Sequence, residues 1–322
     1  MKKKQKILIV GFGRVGRSAR DMFARKFQTF VYDPYIDREK YPNIDFVDNL
    51  SGSFTLAVIC LPTPMDLGRY VALHYKSGYI FKIYGCNTAL VEKAVSEINA
   101  DYFLIKSTLA PGTTEKLIQK TGKKICQSPE YMGESTYHST YDFHKEMILS
   151  PWIVLGGDSE AAERIFDLMQ TIVGPQKHFY FVGSAKNAEL IKTMENDYFA
   201  DKIIFANEAR TISEKSGGQW FQIREGWGLD PRVNLMHTGV FFEERGYGGK
   251  CLPKDTMARV YSIIADYNYY PYASVARLLS NTILRPEEMN NAPIKSLNDI
   301  KELEEITVVR GKKEKIINPT IV

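Results

Sequence analysis

The sequence has few cysteines and no long apolar run, and both absences narrow the class of protein. Its 322 residues include four cysteines without paired or metal-ligand spacing: Cys60, Cys86, Cys126 and Cys251. This pattern is typical of reduced thiols rather than of a disulfide scaffold or a zinc site. The apolar run that follows the first lysines, residues 7–10, is too short for a signal sequence or a membrane span. We therefore expect a cytoplasmic protein with no membrane partner and no metal.

An excess of charge of one sign is also lacking. Lysine and arginine number 42 against 38 aspartates and glutamates, a net charge of +4, and the two signs are interspersed. This balance argues against a nucleic-acid partner and indicates at most a mild attraction for a small anionic ligand. The five histidines show no ligand spacing, and no internal repeat is present.

The first part of the chain has the pattern of a dinucleotide-binding unit. Residues 6–10 predict a buried parallel strand, and a helical pattern continues to about residue 27. A second strand ends at Asp33, about 20 residues after the glycines, where a carboxylate accepts hydrogen bonds from a ribose diol and repels a 2′-phosphate. NAD is therefore predicted rather than NADP, and a glycine turn without a ligand is the alternative. The loop between strand and helix reads Gly11-Phe12-Gly13-Arg14-Val15-Gly16.

Strand patterns recur along the next hundred residues, at 56–60, 80–84, 103–107, 124–126 and 152–156, with helical patterns at 90–98 and 113–121. This alternation predicts an α/β fold with a doubly wound parallel sheet of the Rossmann type. Ligands of such sheets bind beyond the carboxyl ends of the strands. Polar residues after three strands are therefore candidates for cofactor or substrate contacts, with ordinary turn chemistry as the alternative: Pro62, Thr63, Thr108 and Glu130.

A long segment without proline or glycine then predicts one helix from Ser184 to about Gly217. Lys192 and Asn196 share a face of it, although a solvated lysine and an exposed asparagine remain the plainer interpretation of the helix alone. Further helices are expected at 220–235 and 253–284. We place the NAD-binding Rossmann-like domain at 1–183, the central helix at 184–217, a mostly helical substrate domain at 218–286 and a short polar tail at 287–322.

Cys251 differs from the other cysteines in its surroundings. Glycines precede it, Lys250 and Lys254 flank it, and a helix start follows, so the thiolate is favoured over the thiol. Cys60, in contrast, lies in an apolar run and is expected to be an inert core thiol. The sequence predicts a reactive cysteine in this loop, with a tight surface turn as the alternative.

These motifs, in this order, resemble those of the UDP-glucose and GDP-mannose dehydrogenase family, the nucleotide-sugar 6-dehydrogenases. The resemblance runs from Gly11 to about Arg285. It implies a long central helix that forms a homodimer, and the four-electron oxidation of a sugar primary alcohol to a carboxylate with two NAD. Besides the glycine loop and Asp33, the matching stretches are 107–114, 128–130, 186–196, 207–208, 230–232 and 248–255.

The resemblance assigns the covalent chemistry to Cys251. Its thiolate captures the aldehyde as a thiohemiacetal, a second hydride leaves to give a thioester, and water then splits the thioester. Lys192 and Asn196 are implied to hold the developing oxyanion.

Other positions have supporting roles in the family. Thr108, Glu130 and Asp255 are implied to position and activate water, with Thr108 also close to the cofactor. Arg232 matches a residue that reaches the substrate across the dimer interface, and Gly248 lies in the substrate-binding stretch.

Two features depart from the family. The sequence ends at residue 322, so we expect the family's third, nucleotide-gripping domain to be absent. Glu243 and Glu244 in the loop before Cys251 would oppose a diphosphate unless Arg245 or Arg232 neutralises them. The identity of the sugar nucleotide is left open.

Two other functions fit parts of the pattern. A one-step hydroxyacid-type dehydrogenase shares the lysine and asparagine four residues apart, but it forms no covalent adduct and has no use for Cys251. A non-catalytic NAD-binding subunit needs the glycine loop but not Lys192, Asn196 and Cys251 together. The NADH formed per alcohol consumed separates the nucleotide-sugar dehydrogenase, which forms two, from the one-step dehydrogenase, which forms one.

Overall fold

The computed structural model describes residues 5–133, 142, 145–241 and 243–320. Within these residues the strands are β1 (Lys6–Val10), β2 (Gln28–Tyr32), β3 (Asp45–Phe46), β4 (Ser53–Ile59), β5 (Met65–Tyr75), β6 (Ile80–Cys86), β7 (Asn99–Ile105), β8 (Ile125–Gln127), β9 (Trp152–Gly157), β10 (His178–Phe181), β11 (Leu303–Arg310) and β12 (Lys313–Ile317). The α-helices are α1 (Arg14–Phe23), α2 (Ala89–Glu97), α3 (Thr113–Thr121), α4 (Ser159–Val173), α5 (Ala185–Lys215), α6 (Trp220–Trp227), α7 (Leu252–Tyr267) and α8 (Tyr272–Leu284).

The chain forms two compact units. Unit 1 consists of Met1–Pro64 and Asn87–Lys192, and unit 2 consists of Met65–Cys86 and Thr193–Val322. These units differ from the domain boundaries expected from the sequence, because Met65–Cys86 belongs with the second half of the chain. Among the described residues, no helix has both the length and the apolar character needed to span a bilayer.

Unit 1 is built on an eight-stranded sheet in the order β10-β9-β8-β7-β4-β1-β2-β3. β1 pairs in parallel with β2 and β4, and its residues 7–10 are all buried because helices cover both faces of the sheet. The described strand pairs are parallel except β8 with β9. The predicted Rossmann-type sheet is thus confirmed. The strand order reverses between β1 and β4, where such sheets bind ligands beyond the strands' carboxyl ends.

Two apolar layers hold unit 1 together. On one face of the sheet, α1 and α4 bury Phe23 and Ile165 with Ile7 and Ile9 of β1. On the other, residues from α2 and α3 pack against alternate positions of the same strand: Leu8, Val10, Val91, Val95 and Leu117. Burial of each such side chain contributes about 1.5–3 kcal/mol, which fixes the strand ends that carry the candidate site.

Unit 2 combines helices with a four-stranded sheet in the order β12-β11-β5-β6. β5 and β6 form a hairpin with Gly78 in its turn, and β11 and β12 form another around Gly311; both glycines have positive φ, at +85° and +63°. β5 joins the two hairpins, where Val71 pairs with Val308. One face of this sheet is buried with Val260 of α7.

Three expectations about elements are wrong. Residues 80–84 are not part of the parallel sheet, because the short turn at Gly78 joins β6 to β5 and a tight hairpin is antiparallel. The segment 220–235 is helical only to Trp227, since Gly228 and Pro231 follow. The segment 253–284 is two helices, because Asn268, with φ +54°, caps the C-terminus of α7 after Tyr267, and Pro271 precedes α8.

Residues 287–322 were expected to be a polar tail. Instead, β11 within this segment pairs with β5 of the hairpin 65–86 in unit 2, and β12 pairs with β11. The long helix expected from Ser184 is α5, which has 31 residues. The Ser184 Oγ accepts a hydrogen bond from the Asn187 N–H at 3.1 Å, as an N-cap does, and Gly217 follows the helix with φ +76°.

Candidate active site

The three glycines after β1 have different surroundings. A Cβ on Gly11, whose φ is +90°, would lie 2.6 Å from the Cys60 carbonyl oxygen, and a Cβ on Gly16 would lie 1.9 Å from the Gly11 carbonyl oxygen. These two glycines let β1, β4 and α1 approach closely. A Cβ on Gly13 would meet nothing within 4 Å. Space above the start of α1 is therefore open, as a bound pyrophosphate requires.

The first turn of α1 suits an anion. No side chain caps this helix and no acidic residue lies in its first turn, where Arg14 is exposed. Phe12 does not point toward this space, because its ring packs at 5.2 Å from that of Tyr41. Val15 likewise packs against the core. The side chains of these two residues therefore face away from a cofactor, and the loop fits a dinucleotide through the amides at the start of α1 and through Arg14.

Asp33 lies just after β2 and links this strand to the glycine loop. Its Oδ2 accepts a hydrogen bond from the Phe12 N–H at 2.7 Å, and its Oδ1 accepts one from the Tyr35 N–H at 2.9 Å. Each carboxylate oxygen has a second lone pair, so the side chain retains capacity for a ribose diol. The position agrees with that of a ribose ligand.

The loops after β4 and β7 are tied together. The Thr63 hydroxyl donates to the Thr108 carbonyl at 2.8 Å, and the Ser107 hydroxyl donates to the Leu61 carbonyl at 2.7 Å. Pro62 is exposed between them. These bonds bring Pro62, Thr63 and Thr108 to one edge of the sheet, at the strand-order reversal.

Glu130 lies after β8 beside a buried lysine that the sequence analysis did not single out. The Lys106 Nζ is 3.3 Å from the Glu130 Oε2, with the two side chains 4% and 9% exposed. The Glu130 Oε1 accepts hydrogen bonds from the N–H groups of Tyr131 and Met132 at 2.8 and 3.2 Å. Lys106 also donates to the Pro129 carbonyl at 3.1 Å. The carboxylate is therefore held by a counter-ion and two amides.

Cys60 is close to this pair and behaves as expected for a core thiol. Burial raises its pKa to about 12, although the Lys106 ammonium lowers it and the Glu130 carboxylate raises it further. A thiol with this pKa is protonated at neutral pH and is a poor nucleophile.

Lys192 is the last residue of unit 1 and lies on α5. Its ammonium is 5.0 Å from the centre of the Tyr131 ring, within cation–π range. Tyr131 follows Glu130 directly, so the contact places Lys192 close to the segment after β8. Unit 1 thus brings together Thr63, Thr108, Glu130 and Lys192 around the carboxyl ends of β4, β7 and β8.

Unit 2 contains the remaining candidates. Cys251 is exposed and is the N-cap of α7, so the thiol lies at the positive end of a helix dipole. Asp255, one turn later, is 3% exposed and accepts a hydrogen bond from the Asn196 Nδ2 at 2.8 Å. Its other oxygen pairs with Lys254. Asn196, Lys254 and Asp255 thus form one connected polar group at the first turn of α7, the helix that Cys251 caps.

Lys254 keeps its charge despite burial. Burial alone would lower its pKa, but the ion pair with Asp255 and the electrostatic effects of Cys86 and Cys251 outweigh this, and the pKa is raised. An ammonium is therefore retained in the first turn of α7, on the helix that carries the thiol.

Two buried asparagines hold the loop before Cys251. The Asn207 Oδ1 accepts hydrogen bonds from the Arg245 Nε at 2.7 Å and the Gly246 N–H at 3.2 Å. Asn281 of α8 binds both the N–H and the carbonyl of Tyr247, at 2.8 and 2.9 Å. Arg245 is therefore committed to α5, and the neutralising role considered for it has no support from this arrangement.

Arg232 and Gly248 lie at different places in unit 2. Arg232 is exposed and binds Asp230 of its own chain, which raises the pKa of Arg232 and lowers that of Asp230. Gly248 passes close to two charged side chains, because a Cβ there would lie 2.5 Å from the Arg285 Nη1 and 2.7 Å from the Glu288 Oε1. Glu243 and Glu244 are exposed, and Phe242, also in that loop, lies outside the described residues.

Sequence reasoning missed four polar residues that hold these segments: Lys106, Glu189, Asn207 and Asn281. Glu189 and Asn207 lay inside stretches already matched to the family, which is a signal that could have singled them out, whereas Lys106 lay outside those stretches. Asn281 has no such signal. Within the described part of the chain, no group of three or more histidine, cysteine, aspartate or glutamate residues is placed to hold a metal ion.

Known proteins match parts of this sequence. Residues 186–282 match the model of the UDP-glucose/GDP-mannose dehydrogenase family, central domain. The UDP-glucose 6-dehydrogenase of Rickettsia typhi is 32% identical over 179 residues, which cover 52% of this chain and 38% of that protein. The chain thus matches well under half the length of this relative.

Solved structures support the fold. A UDP-glucose dehydrogenase from Pyrobaculum islandicum superposes with a TM-score of 0.66 at 21% identity, covering 87% of this chain and 68% of the other. The 3-hydroxyisobutyrate dehydrogenase of Mycobacterium tuberculosis gives 0.64 at 12% identity, covering 90% and 96%. The fold is therefore common to both classes of enzyme, and the motifs separate them. Residues 186–282 therefore match the central domain of the UDP-glucose/GDP-mannose dehydrogenase family, and the chain is similar to proteins of that family.

Proposed function

We propose that this protein oxidises the primary alcohol of a nucleotide sugar to a uronic acid with two NAD, through a covalent adduct on Cys251. The observation that carries the proposal is the exposed Cys251 thiol at the N-terminus of α7, with Lys254 in the first turn of that helix. A helix N-terminus and a neighbouring ammonium both stabilise a thiolate, and a thiolate is needed to capture an aldehyde.

The cofactor would be held by the glycine loop and Asp33. The open space at Gly13 and the uncapped amides of α1 suit a pyrophosphate, and Asp33 suits the ribose. Bound NAD supplies the hydride acceptor. Pro62, Thr63 and Thr108 line the same edge of the sheet and would contact the cofactor beyond its phosphates.

At Cys251 the sulfur attacks the aldehyde carbon, a C–S bond forms, and the carbonyl oxygen becomes an oxyanion that takes up a proton. Loss of a hydride from that carbon, together with the hydroxyl proton, leaves a thioester. Lys192 and Asn196, four residues apart on one face of α5, would stabilise the oxyanion. Water then attacks the thioester and the sulfur leaves as the thiolate.

Glu130, Thr108 and Asp255 would position the water for this last step. Glu130 is held as a carboxylate by Lys106 and two amides, so it is oriented before a substrate binds. Asp255 is held in the same way by Asn196 and Lys254. Both are suited to fixing a water molecule, and the general base within this scheme is Glu130 or a water held on Asp255. Arg232 and Gly248 complete the proposed substrate contacts.

A one-step hydroxyacid-type dehydrogenase is the second candidate, favoured by the likeness to the Mycobacterium tuberculosis enzyme. Such an enzyme leaves Cys251, Lys254 and Asp255 without a chemical role. The match of residues 186–282 to the nucleotide-sugar family favours the first candidate.

Homodimerisation through α5 is part of the proposal. Four large apolar side chains on this helix are more than half exposed and fall within an arc of about 40° at 100° per residue: Met194, Tyr198, Phe205 and Ile212. An apolar stripe of this length on a monomer surface marks an interaction face. A second copy of α5 is the partner that we propose for it.

The test is NADH formation by the purified protein with NAD and a panel of nucleotide sugars, among them UDP-glucose, GDP-mannose and UDP-N-acetylmannosamine. We expect NADH with at least one of them, and a loss of rate on the order of a hundredfold or more in Lys192→Met, the usual cost of removing an oxyanion donor. Lys215→Met at the far end of α5 is the matched control and should retain the rate. No NADH with any nucleotide sugar, but NADH with a 3-hydroxyacid, would favour the second candidate.

A further inference from the structure

Glu189 is a buried carboxylate in unit 1 that the proposed chemistry does not use. It lies in the second turn of α5 and is 1% exposed. Its Oε2 accepts a hydrogen bond from the Gly112 N–H at 2.5 Å, and its Oε1 accepts one from the Thr114 N–H at 2.8 Å. Both carboxylate oxygens are thus engaged by the backbone at the start of another helix.

These two amides belong to the N-terminus of α3. Gly112 is the N-cap residue of α3, with φ +87°, and no side chain of its own segment caps the helix. The first N–H groups of a helix have no partner within it, and here Thr114 is fully buried, so an acceptor must come from elsewhere. Glu189 supplies that acceptor from α5. The helix dipole favours an anion at this position.

A negative charge on Glu189 is costly at this buried position. Burial raises its pKa to about 7, against the lowering effect of its hydrogen bonds from Thr114 and Gly112, and Glu115 on α3 raises it further. Lys186 of α5 pairs with that same Glu115, since the Lys186 Nζ lies 3.4 Å from the Glu115 Oε2. From β8, the uncharged Gln127 approaches the Thr114 hydroxyl at 3.5 Å. A neutral side chain would cost less in such a place, so stability alone does not account for a carboxylate.

The backbone that Glu189 holds leads directly to Thr108. Residues 107–112 lie between β7 and α3. Near the start of this segment, the Thr63 hydroxyl holds the Thr108 carbonyl. On α5, Lys192 lies one turn beyond Glu189. Ala188, the neighbour of Glu189, packs against β9, where a Cβ on Gly156 would lie 3.1 Å from its methyl group. One carboxylate therefore joins the loop of Thr108 to the helical turn of Lys192.

We propose that Glu189 is a positioning residue that fixes Thr108 relative to Lys192 for the oxidation of the nucleotide sugar. The inference rests on the proposed function for those two residues. Reacting groups must be held close to their productive geometry, and a displacement of about 1 Å costs up to a hundredfold in rate. Glu189 provides that constraint because it binds backbone atoms of one segment from a rigid helix of the other.

The first test is Glu189→Gln in the full chain. The amide side chain offers one acceptor oxygen and one NH2 donor, so one of the two backbone N–H groups would face a donor. We expect faster hydrogen exchange at Gly112 or Thr114 and a kcat lower by about ten- to a hundredfold, with the KM for NAD changed by less than about threefold. Glu189→Asp keeps the charge but is too short to reach both amides, and should give the same result.

The matched control is Glu115→Gln, which breaks the ion pair with Lys186 but leaves both amides bound to Glu189. It should retain the amide protection and kcat of the wild type. If the Gly112 and Thr114 amides exchange in Glu189→Gln as slowly as in the wild type, the proposed constraint by Glu189 on these amides is refuted. Faster exchange in Glu189→Gln with an unchanged kcat would refute the positioning role alone. A wild type that forms no NADH with nucleotide sugars would refute the proposed function. In that case hydrogen exchange would still test whether Glu189 binds the two amides.

A pH series adds an independent readout. The pKa of Glu189 is about 7 in the folded protein against an ordinary value of 4.5, so its contribution to stability is present below pH 4.5 and is lost as the pH rises through 7. We expect the urea midpoint of the wild type to fall more than that of Glu189→Gln between about pH 5 and 8. Urea midpoints of the wild type and Glu189→Gln that change with pH in parallel would contradict the raised pKa assigned to Glu189.

Discussion

At the scale of single residues, the choice of cofactor depends on one carboxylate. Asp33 is fixed by the amides of Phe12 and Tyr35 at the end of β2, so it cannot turn away easily from a group bound over the glycine loop. A 2′-phosphate there would meet a like charge in a partly desolvated site. We therefore predict strong preference for NAD over NADP, measured by calorimetric titration of each cofactor.

The control for this prediction is Asp33→Asn, which keeps the shape of the side chain and removes its charge. In this variant the ratio of NAD affinity to NADP affinity should fall by about tenfold or more, mainly through tighter NADP binding. Equal affinity of the wild type for the two cofactors would remove Asp33 as the ribose ligand.

Single residues also show what could and could not be predicted from the sequence. Gly11, Gly13 and Gly16 were predictable because their spacing follows from backbone requirements that any such loop has. Lys106 and Asn281 were not, because their importance depends on which backbone groups they meet after folding. A lysine at the end of a strand and an asparagine inside a helix are both usually solvated, and only burial distinguishes these two.

At the scale of elements, α5 is the helix with the clearest second role. Its exposed apolar stripe is continuous over Met194, Tyr198, Phe205 and Ile212. We predict a dimer in solution by light scattering, and Phe205→Glu should convert it to a monomer because the stripe's centre would then carry a desolvated charge. Phe205→Leu keeps the apolar character and should remain dimeric. A wild-type monomer at micromolar concentration would contradict the role of this helix.

The elements that were predicted well are those whose pattern is local. α3 matches the expected 113–121 at both ends because a glycine precedes it and Gly122 follows it. The hairpin of β5 and β6 was missed because β6 is apolar like a parallel strand, and because β11, which pairs with β5, lies more than two hundred residues away along the chain. Such long-range pairing cannot be read from periodicity.

At the scale of the whole molecule, the segments alternate between the two units along the chain. The chain leaves unit 1 at Pro64, contributes Met65–Cys86 to unit 2, and returns at Asn87. Thr108, Glu130 and Lys192 lie in unit 1, and Asn196, Cys251 and Asp255 lie in unit 2. Each group draws its members from distant parts of the sequence but lies within a single unit.

The central claim is that Cys251 converts one oxidation into two. The most direct test is the ratio of NADH formed to alcohol consumed, with a limiting amount of the nucleotide sugar that reacts and the carboxylate product measured by mass spectrometry. We predict two NADH per carboxylate for the wild type. With Cys251→Ser we predict a stall after the first oxidation, with aldehyde released or an ester-like adduct trapped, because a serine hydroxyl is a poor nucleophile without a dedicated base. A ratio of one NADH with aldehyde as the wild-type product, or full turnover to the carboxylate by Cys251→Ser, would contradict the account.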